Sequence, residues 1–384
     1  MREIFEKIDI LSGEFVDIWE DICNIESPSN YKMGVDAVGK YLIDLANDNL
    51  WDVEVFKQER FGDVVCITMN KDAQKNTVTI SGHMDTVHPV GSFGTPAAHR
   101  SGDKLYGPGA MDCKGGIVAG LLAMKALKEC GYNERPVMML LQSNEEVGSG
   151  LNNKETIRYV CEKAKSSAAF LNLEGHEGFF EGKACLKRKG IAGFQFIVTG
   201  IETHASYCAD EGASAIVEAA HKIIALEKIK NPGGLTFNCG LINGGSASNT
   251  VPGKCEFKLD IRFSKMEEFD EAVKIIDDIS NTVYVPGCSC NVVQTNMRPA
   301  MEPNERNISL LNRANDLFGK NGLSALEVGA RNGGSDAADI SACGIPTIDS
   351  LGVGGERAHS VEEYGVISSL AESAKRIAAI VVGI

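Results

Sequence analysis

The spacing of apolar and polar positions divides the chain into three stretches with different rhythms. Over residues 1 to 50, Ile4, Ile8, Phe15, Ile18 and Trp19 recur at near-helical intervals and predict helices. Residues 64 to 69 and 78 to 80 are short strand-like runs, whereas 88 to 109 is rich in Pro, Gly and Ser and predicts an irregular loop. A helical pattern follows from 117 to 130. The almost continuous apolar run 136 to 141 has the character of a strand buried on both faces. A helix then fits 153 to 165 and a strand 168 to 173, so strands and helices alternate.

Around Lys187-Arg-Lys-Gly190 the rhythm changes. Residues 191 to 199 alternate like a strand with one exposed face, 213 to 228 form an amphipathic helix, and 235 to 242 and 254 to 263 are strands. A helix at 266 to 280 and a strand at 289 to 297 complete the order strand-helix-strand-strand-helix-strand, the ferredoxin-like unit. Alternation resumes with a helix at 306 to 319, a strand at 325 to 329, a Gly-rich segment at 332 to 336, a strand at 346 to 351 and a last helix at 364 to 381. The pattern predicts an α/β fold in which residues 1 to 189 and 301 to 384 form one domain and residues 190 to 300 an inserted α+β domain.

Composition narrows the function classes. Over 384 residues the formal net charge is −14, which excludes the basic face of a nucleic-acid binder. No run reaches the roughly 18 uninterrupted apolar residues of a membrane span, and the charged, amphipathic start predicts neither a signal nor a transit peptide. The 12 cysteines include no C-x-x-C pair and read as reduced thiols of a cytoplasmic protein. Cys113 is the candidate for reactivity, because it follows a possible ligand.

Chemistry concentrates just past the predicted strand ends, where α/β sheets place their sites. The run 78 to 82 leads into His83 and Asp85, whose spacing puts both side chains on one side of an extended backbone. His83 reads as a metal ligand whose ring Asp85 fixes through its other nitrogen. Alone, the pair reads equally as a surface histidine satisfied by a neighbouring acid. Asp112, Glu146, Glu174 and His359 stand at corresponding places. Two imidazoles and three carboxylates suit Zn²⁺, with Mn²⁺ or Co²⁺ as substitutes. Five ligands exceed one open tetrahedral site. If one carboxylate bridges, they serve two ions with three protein ligands each.

The segments Ser81-Gly-His-Met-Asp-Thr-Val87, Gly107-Pro-Gly-Ala-Met-Asp-Cys-Lys-Gly-Gly116, Asn144-Glu-Glu-Val-Gly-Ser149 and Ala358-His-Ser360 resemble, in order and across nearly the whole chain, the co-catalytic zinc metallopeptidases of family 20 (clan MH). That family includes glutamate carboxypeptidase, acetylornithine deacetylase, succinyl-diaminopimelate desuccinylase, aminoacylase and several dipeptidases. Residues 331 to 338, 350 to 355 and 358 to 359 are most similar to glutamate carboxypeptidase. The resemblance implies a mixed-sheet zinc-exopeptidase catalytic domain carrying an inserted lid and dimerisation domain. It further implies two zinc ions per subunit, with Asp112 bridging, His83 and Glu174 completing one site, and Glu146 and His359 the other. The Asp112–Cys113 peptide is expected to be cis. Glu at 174, where the aminopeptidase branch usually has Asp, tilts the reading toward a carboxypeptidase or deacylase.

Glu145 becomes the expected general base, since adjacent acids off a helix point apart and Glu146 can face the metal while Glu145 faces the water. In the inserted domain, His204 resembles the histidine that reaches a partner subunit's active site and donates to the oxyanion, which implies a homodimer. Asn249 and Arg262 match substrate-binding positions, and an Arg fork suits a substrate carboxylate. Gly333 and Gly334 are expected to form a tight loop at the substrate pocket. His88, His99, His176 and His221 lie outside the motifs and read as structural or surface residues. The expectation is a dinuclear zinc hydrolase cleaving an amide bond beside a free carboxylate, in a small peptide or an N-acyl amino acid. A dipeptidase, acetylornithine deacetylase or desuccinylase are alternatives within the family, and an inactive binding protein on the same fold is the alternative outside the enzyme class.

Overall fold

The computed structural model describes residues 1–150, 153–177 and 182–384. The chain divides into two compact units: Met1–Leu186 with Pro303–Ala330 and Ser335–Ile384, and Lys187–Glu302 with Arg331–Gly334.

The first unit opens with helices α1 (Arg2–Asn24) and α2 (Lys32–Asp48) and continues through strands β1 (Asp52–Phe56), β2 (Val64–Met69) and β3 (Val78–His83). The segment expected to be an irregular loop contains a hairpin, β4 (His99–Ser101) and β5 (Lys104–Tyr106). Its strands are three residues each and mostly exposed, so no apolar alternation marks them. A tight turn, Ala110–Lys114, leads into α3 (Gly115–Glu129), β6 (Val137–Gln142), α4 (Glu155–Ala164), β7 (Ala169–Asn172), β8 (His176–Glu177) and β9 (Lys183–Arg188).

In the second unit come β10 (Gly190–Thr199), β11 (Thr203–His204), α5 (Ala215–Leu226), β12 (Thr236–Gly244), β13 (Thr250–Val251), β14 (Lys254–Phe263), α6 (Met266–Asn281) and β15 (Ser289–Arg298). The first unit then resumes with α7 (Glu305–Lys320), β16 (Glu327–Arg331), α8 (Asp336–Ala342), β17 (Thr347–Ile348), β18 (Gly354–Glu356), β19 (Tyr364–Val366) and α9 (Ser369–Gly383). Three expectations need correction here. The strand placed at 346 to 351 is only two residues long, and the last helix starts later than expected because β19 precedes it. At the end of the Gly-rich stretch the chain forms a helix, α8, where the sequence pattern predicts none.

The main sheet of the first unit has the order β1-β2-β6-β3-β7-β17. β6, β3, β7 and β17 run parallel, while β1 and β2 are antiparallel additions. β3 and β6 are buried along their whole lengths, as their apolar sequences require. One face of the sheet packs Val64, Met138, Leu140 and Phe170 against Ile157 and Val160 of α4 and Ile340 of α8. The other receives α3, where a side chain at Gly120 would meet Met139 and Ile80. Gly116 marks the closest approach, because a Cβ there would lie 1.9 Å from the Leu173 carbonyl oxygen. A smaller sheet, β4-β5-β19-β18-β8, also belongs to this unit.

The second unit has the order β12-β14-β10-β15, all antiparallel, which is the ferredoxin-like arrangement. Its inward residues, among them Phe194, Phe196, Val198, Phe257, Leu259 and Ile261, pack with Ala215, Ala219 and Leu226 of α5 and Ala272 and Ile276 of α6. Lys222 is fully buried here, 3.0 Å from Glu218 one helical turn earlier. Its ammonium donates to the carbonyls of Ile279, Ser280 and Thr282, which the end of α6 leaves without helical partners. Glu218 in turn accepts the N–H groups of Tyr284 and Val285. Lys222→Met would leave a buried carboxylate and three carbonyls uncompensated, so we expect a loss of about 3–5 kcal/mol, read as a lowered urea midpoint.

Candidate metal centre

Because β3, β6 and β7 are parallel, their C-terminal ends share one edge of the sheet. His83 is the last residue of β3, Glu145 and Glu146 follow β6 after a short link, and Glu174 follows β7. Asp112 sits in the turn before α3, with φ −118° and ψ 89°, and the Asp112–Cys113 peptide is cis. His359 lies between β18 and β19, in the left-handed region at φ 64°. All five candidate ligands and Glu145 therefore belong to the first unit.

Their functional atoms face one another. His83 Nε2 lies 2.9 Å from Asp112 Oδ1 and 3.7 Å from Glu174 Oε1. His359 Nε2 lies 3.4 Å from Asp112 Oδ2 and 3.1 Å from Glu146 Oε2. Asp112 thus gives one oxygen to each imidazole, and each imidazole has a carboxylate of its own. Ligand atoms of His83, Glu145 and Glu174 fall within 4.8 Å of one another, as do those of His83, Asp112 and Glu146.

The electrostatics are those of crowded like charges. Burial, together with the charge of Asp112, pushes Glu146 up to about 8 despite its contact with His359. Burial opposes ionisation of Asp112 too, yet hydrogen bonds from His359 and His83 outweigh it and hold this carboxylate well below the usual range. Asp112 and Glu146 in turn push His359 up to about 10. A divalent cation is the group that would let these carboxylates ionise together, and the oxygen-and-imidazole donor set fits one.

Asp85 meets the Nδ1 side of the His83 ring with both its main chain and its carboxylate. His83 Nδ1 is 2.9 Å from the Asp85 main-chain carbonyl and 3.5 Å from its carboxylate, so the carbonyl is the nearer group orienting the ring. The fully buried carboxylate also accepts the backbone N–H groups of Glu145 at 3.1 Å and Glu146 at 3.2 Å, and the Ser29 hydroxyl at 2.6 Å. β3 has ended by then, so the alternation that placed both side chains together no longer applies. Glu145–Val147 is a single 3₁₀ turn rather than extended chain. Cys113 is also corrected. Its thiol is fully buried, receives the His83 N–H at 3.0 Å, and is pushed up to about 12 by burial, which disfavours the reactive thiolate.

The remaining candidates fall in the second unit. His204 and Asn249 come together across the β11–β13 ladder, where Ala205 N–H donates to the Asn249 carbonyl at 2.9 Å. His204 Nδ1 accepts the Ser206 N–H at 3.2 Å, leaving the proton of a neutral ring on Nε2. Arg262 presents Nε and Nη2 to Asp260 at 2.7 and 3.2 Å. The Gly333 and Gly334 carbonyls accept from Arg188 Nη1 at 3.3 and 3.2 Å. Of the histidines outside the motifs, His88 is buried against Glu363, a residue that no motif in the sequence marks.

With the geometry in place, comparison with known proteins decides the family. The model of Peptidase family M20/M25/M40 matches residues 79–382. The chain belongs to this family. It is 30% identical over 358 residues to carboxypeptidase G2 from Pseudomonas sp. (strain RS-16), covering 91% of this chain and 84% of that protein. Similarity to succinyl-diaminopimelate desuccinylase from Rickettsia akari (strain Hartford) is 24% over 265 residues, or 64% and 68% of the two chains. The crystal structure of the M20 family metallo-carboxypeptidase Sso-CP2 from Sulfolobus solfataricus superposes with a TM-score of 0.74 at 17% identity, over 96% of this chain and 99% of that one. As an M20 protein with a cation-suited donor set, the chain is a metallohydrolase. Among the described residues no helix is long and apolar enough to cross a membrane.

Burial and the charge of Asp112 raise Glu146, and the two carboxylates raise His359, so protons compete with a divalent ion for these donors. Affinity should therefore rise with pH and fall on acidification. Calorimetric titration of the metal-free protein with Zn²⁺ or Mn²⁺, in buffers of different ionisation enthalpy, should show protons released, and a buffer-independent heat would contradict this account.

Proposed function

We propose that this M20 metallohydrolase is a dinuclear amidase or carboxypeptidase that cleaves an amide bond beside a free carboxylate. The observation that carries the reading is the division of Asp112 between the two imidazoles, each with its own carboxylate. In this reading Asp112 would be shared by two ions, with His83 and Glu174 holding one of them and Glu146 and His359 the other. Two zinc ions, or manganese or cobalt, would polarise the amide carbonyl and bring the acidity of a water toward neutrality.

Glu145 then takes the proton of the attacking water and delivers it to the leaving amine. Its placement is supported by Asp85, which anchors the main chain of Glu145 and Glu146 together, so the base and a ligand move as one piece. His204, presenting Nε2–H, is the proposed donor to the developing oxyanion, and Asn249 beside it the proposed partner for the substrate amide. Arg262 is the proposed receptor for the substrate carboxylate, with Gly333 and Gly334 shaping the pocket without side chains. The similarity to carboxypeptidase G2 favours a C-terminal carboxypeptidase over a deacylase, dipeptidase or desuccinylase.

Zinc- or manganese-loaded protein should release product from a member of a panel of N-acyl amino acids, α- and γ-glutamyl peptides and dipeptides. Glu145→Gln should retain two ions by elemental analysis and lose about 100- to 10,000-fold in kcat. Near-wild-type kcat at full occupancy would remove Glu145 from the role.

We further propose a homodimer formed through the second unit, as the participation of His204 from a partner subunit requires. β12 is an edge strand, and its Leu241 and Ile242 are exposed, as are Ile216, Val217 and Ile224 of α5. Such an edge is a template for pairing with a second copy. Light scattering should give about twice the 41.2 kDa chain mass, and Leu241→Lys should shift the protein to monomer with a parallel loss of kcat. A monomeric, fully active wild type would exclude the partner role of His204.

A further inference from the structure

One buried carboxylate outside the proposed ligand set is bonded to the segments that carry the ligands. Glu363 is 1% exposed and lies four residues after His359, just before β19. Its Oε1 accepts the backbone N–H of Met111 at 2.9 Å and of Asp112 at 3.0 Å. Its Oε2 accepts from His88 Nε2 at 2.8 Å and from the Gly109 N–H at 3.4 Å. The Glu363 main-chain carbonyl also accepts the Gly107 N–H at 3.3 Å. Three backbone N–H groups donate to this carboxylate, and the His88 tautomer that completes the set carries its proton on Nε2. His88 is itself buried and held edge-on against Phe93, with ring centroids 4.9 Å apart.

We propose that Glu363, oriented by His88, is a positioning residue for the metal centre. It holds the turn through Gly109, Met111 and Asp112 so that the two oxygens of Asp112 face His83 and His359. Three chain segments meet on this carboxylate, and each carries one proposed ligand: the stretch from His83 to His88, the turn containing Asp112, and the stretch from His359 to Glu363. Four donors match the roughly four lone-pair sites of a carboxylate, so a shared set of bonds fixes all three segments at once. An amide at 363 keeps the volume but turns one of the two accepting oxygens into a donor, so it cannot accept all four hydrogens. The turn relieves that conflict by moving, and Asp112 moves with it.

The proposal rests on the two-metal reading, and the test separates the two. Metal-free wild type, Glu363→Gln and His88→Gln are titrated with Co²⁺ and Zn²⁺ against a chromophoric chelator, the cobalt absorption bands are recorded, and thermal melting confirms folding. Glu363→Gln should weaken at least one ion by about 10- to 100-fold and alter the cobalt bands. His88→Gln keeps the bonds from Met111 and Asp112 and should show a smaller change in the same direction. If Glu363→Gln fails to melt cooperatively, His88→Gln decides by the same measurements. A wild type that takes up two ions, beside folded variants with unchanged affinity and spectrum, would overturn the positioning role alone. A wild type that takes up no second ion would overturn the two-metal reading.

Discussion

The arrangement at the edge of the main sheet depends on holding carboxylates together against their mutual repulsion. Asp112 and Glu146 both contact the His359 ring, and burial with the neighbouring charge of Asp112 moves Glu146 up to about 8. Groups placed this way scatter unless the backbone beneath them is rigid, because each gains by turning toward water. The chain supplies that rigidity with further buried acids that accept main-chain N–H groups: Asp85 beneath Glu145 and Glu146, and Glu363 beneath Met111 and Asp112. Hydrogen bonds from several N–H groups fix a carboxylate in place.

The same logic extends outward. Ser27 donates to the Met84 carbonyl and Ser29 to Asp85, so the segment after α1 is tied to the end of β3. Lys114, fully buried two residues after Asp112, donates to the Ile25 carbonyl, and burial lowers it to about 8. Gly116 and Gly352 both allow the backbone to close on the Leu173 carbonyl, just before Glu174. A Cβ at these positions would lie 1.9 and 2.1 Å from that oxygen. A methyl at either would displace the end of β7, and Glu174 with it.

How far the sequence disclosed this depended on what each residue does. The candidate ligands were legible because they combine a revealing residue type with a position just past a predicted strand, as with His83 after 78 to 82 and Glu174 after 168 to 173. The ferredoxin-like unit was legible because Phe194, Phe196 and Val198, with Phe257, Leu259 and Ile261, alternate strictly. The hairpin β4–β5 and the two-residue β17 were not, because exposed or very short strands have no apolar period to read. Glu363 and the backbone-anchoring bonds of Asp85 were hidden for another reason. Their partners are backbone N–H groups, which every residue but proline carries, so no pairing of residue types marks them.

Arg262 shows how a proposed binding residue can be kept in readiness. Asp260, two positions away on the same strand face, occupies two of its nitrogens, and both side chains are about 40% exposed. An ion pair so open to water contributes little to stability. An incoming substrate carboxylate would therefore exchange one acid partner of the guanidinium for another at small net cost. The exchange favours a ligand whose other contacts hold its carboxylate at the fork, because a free carboxylate in solution competes poorly with a tethered neighbour.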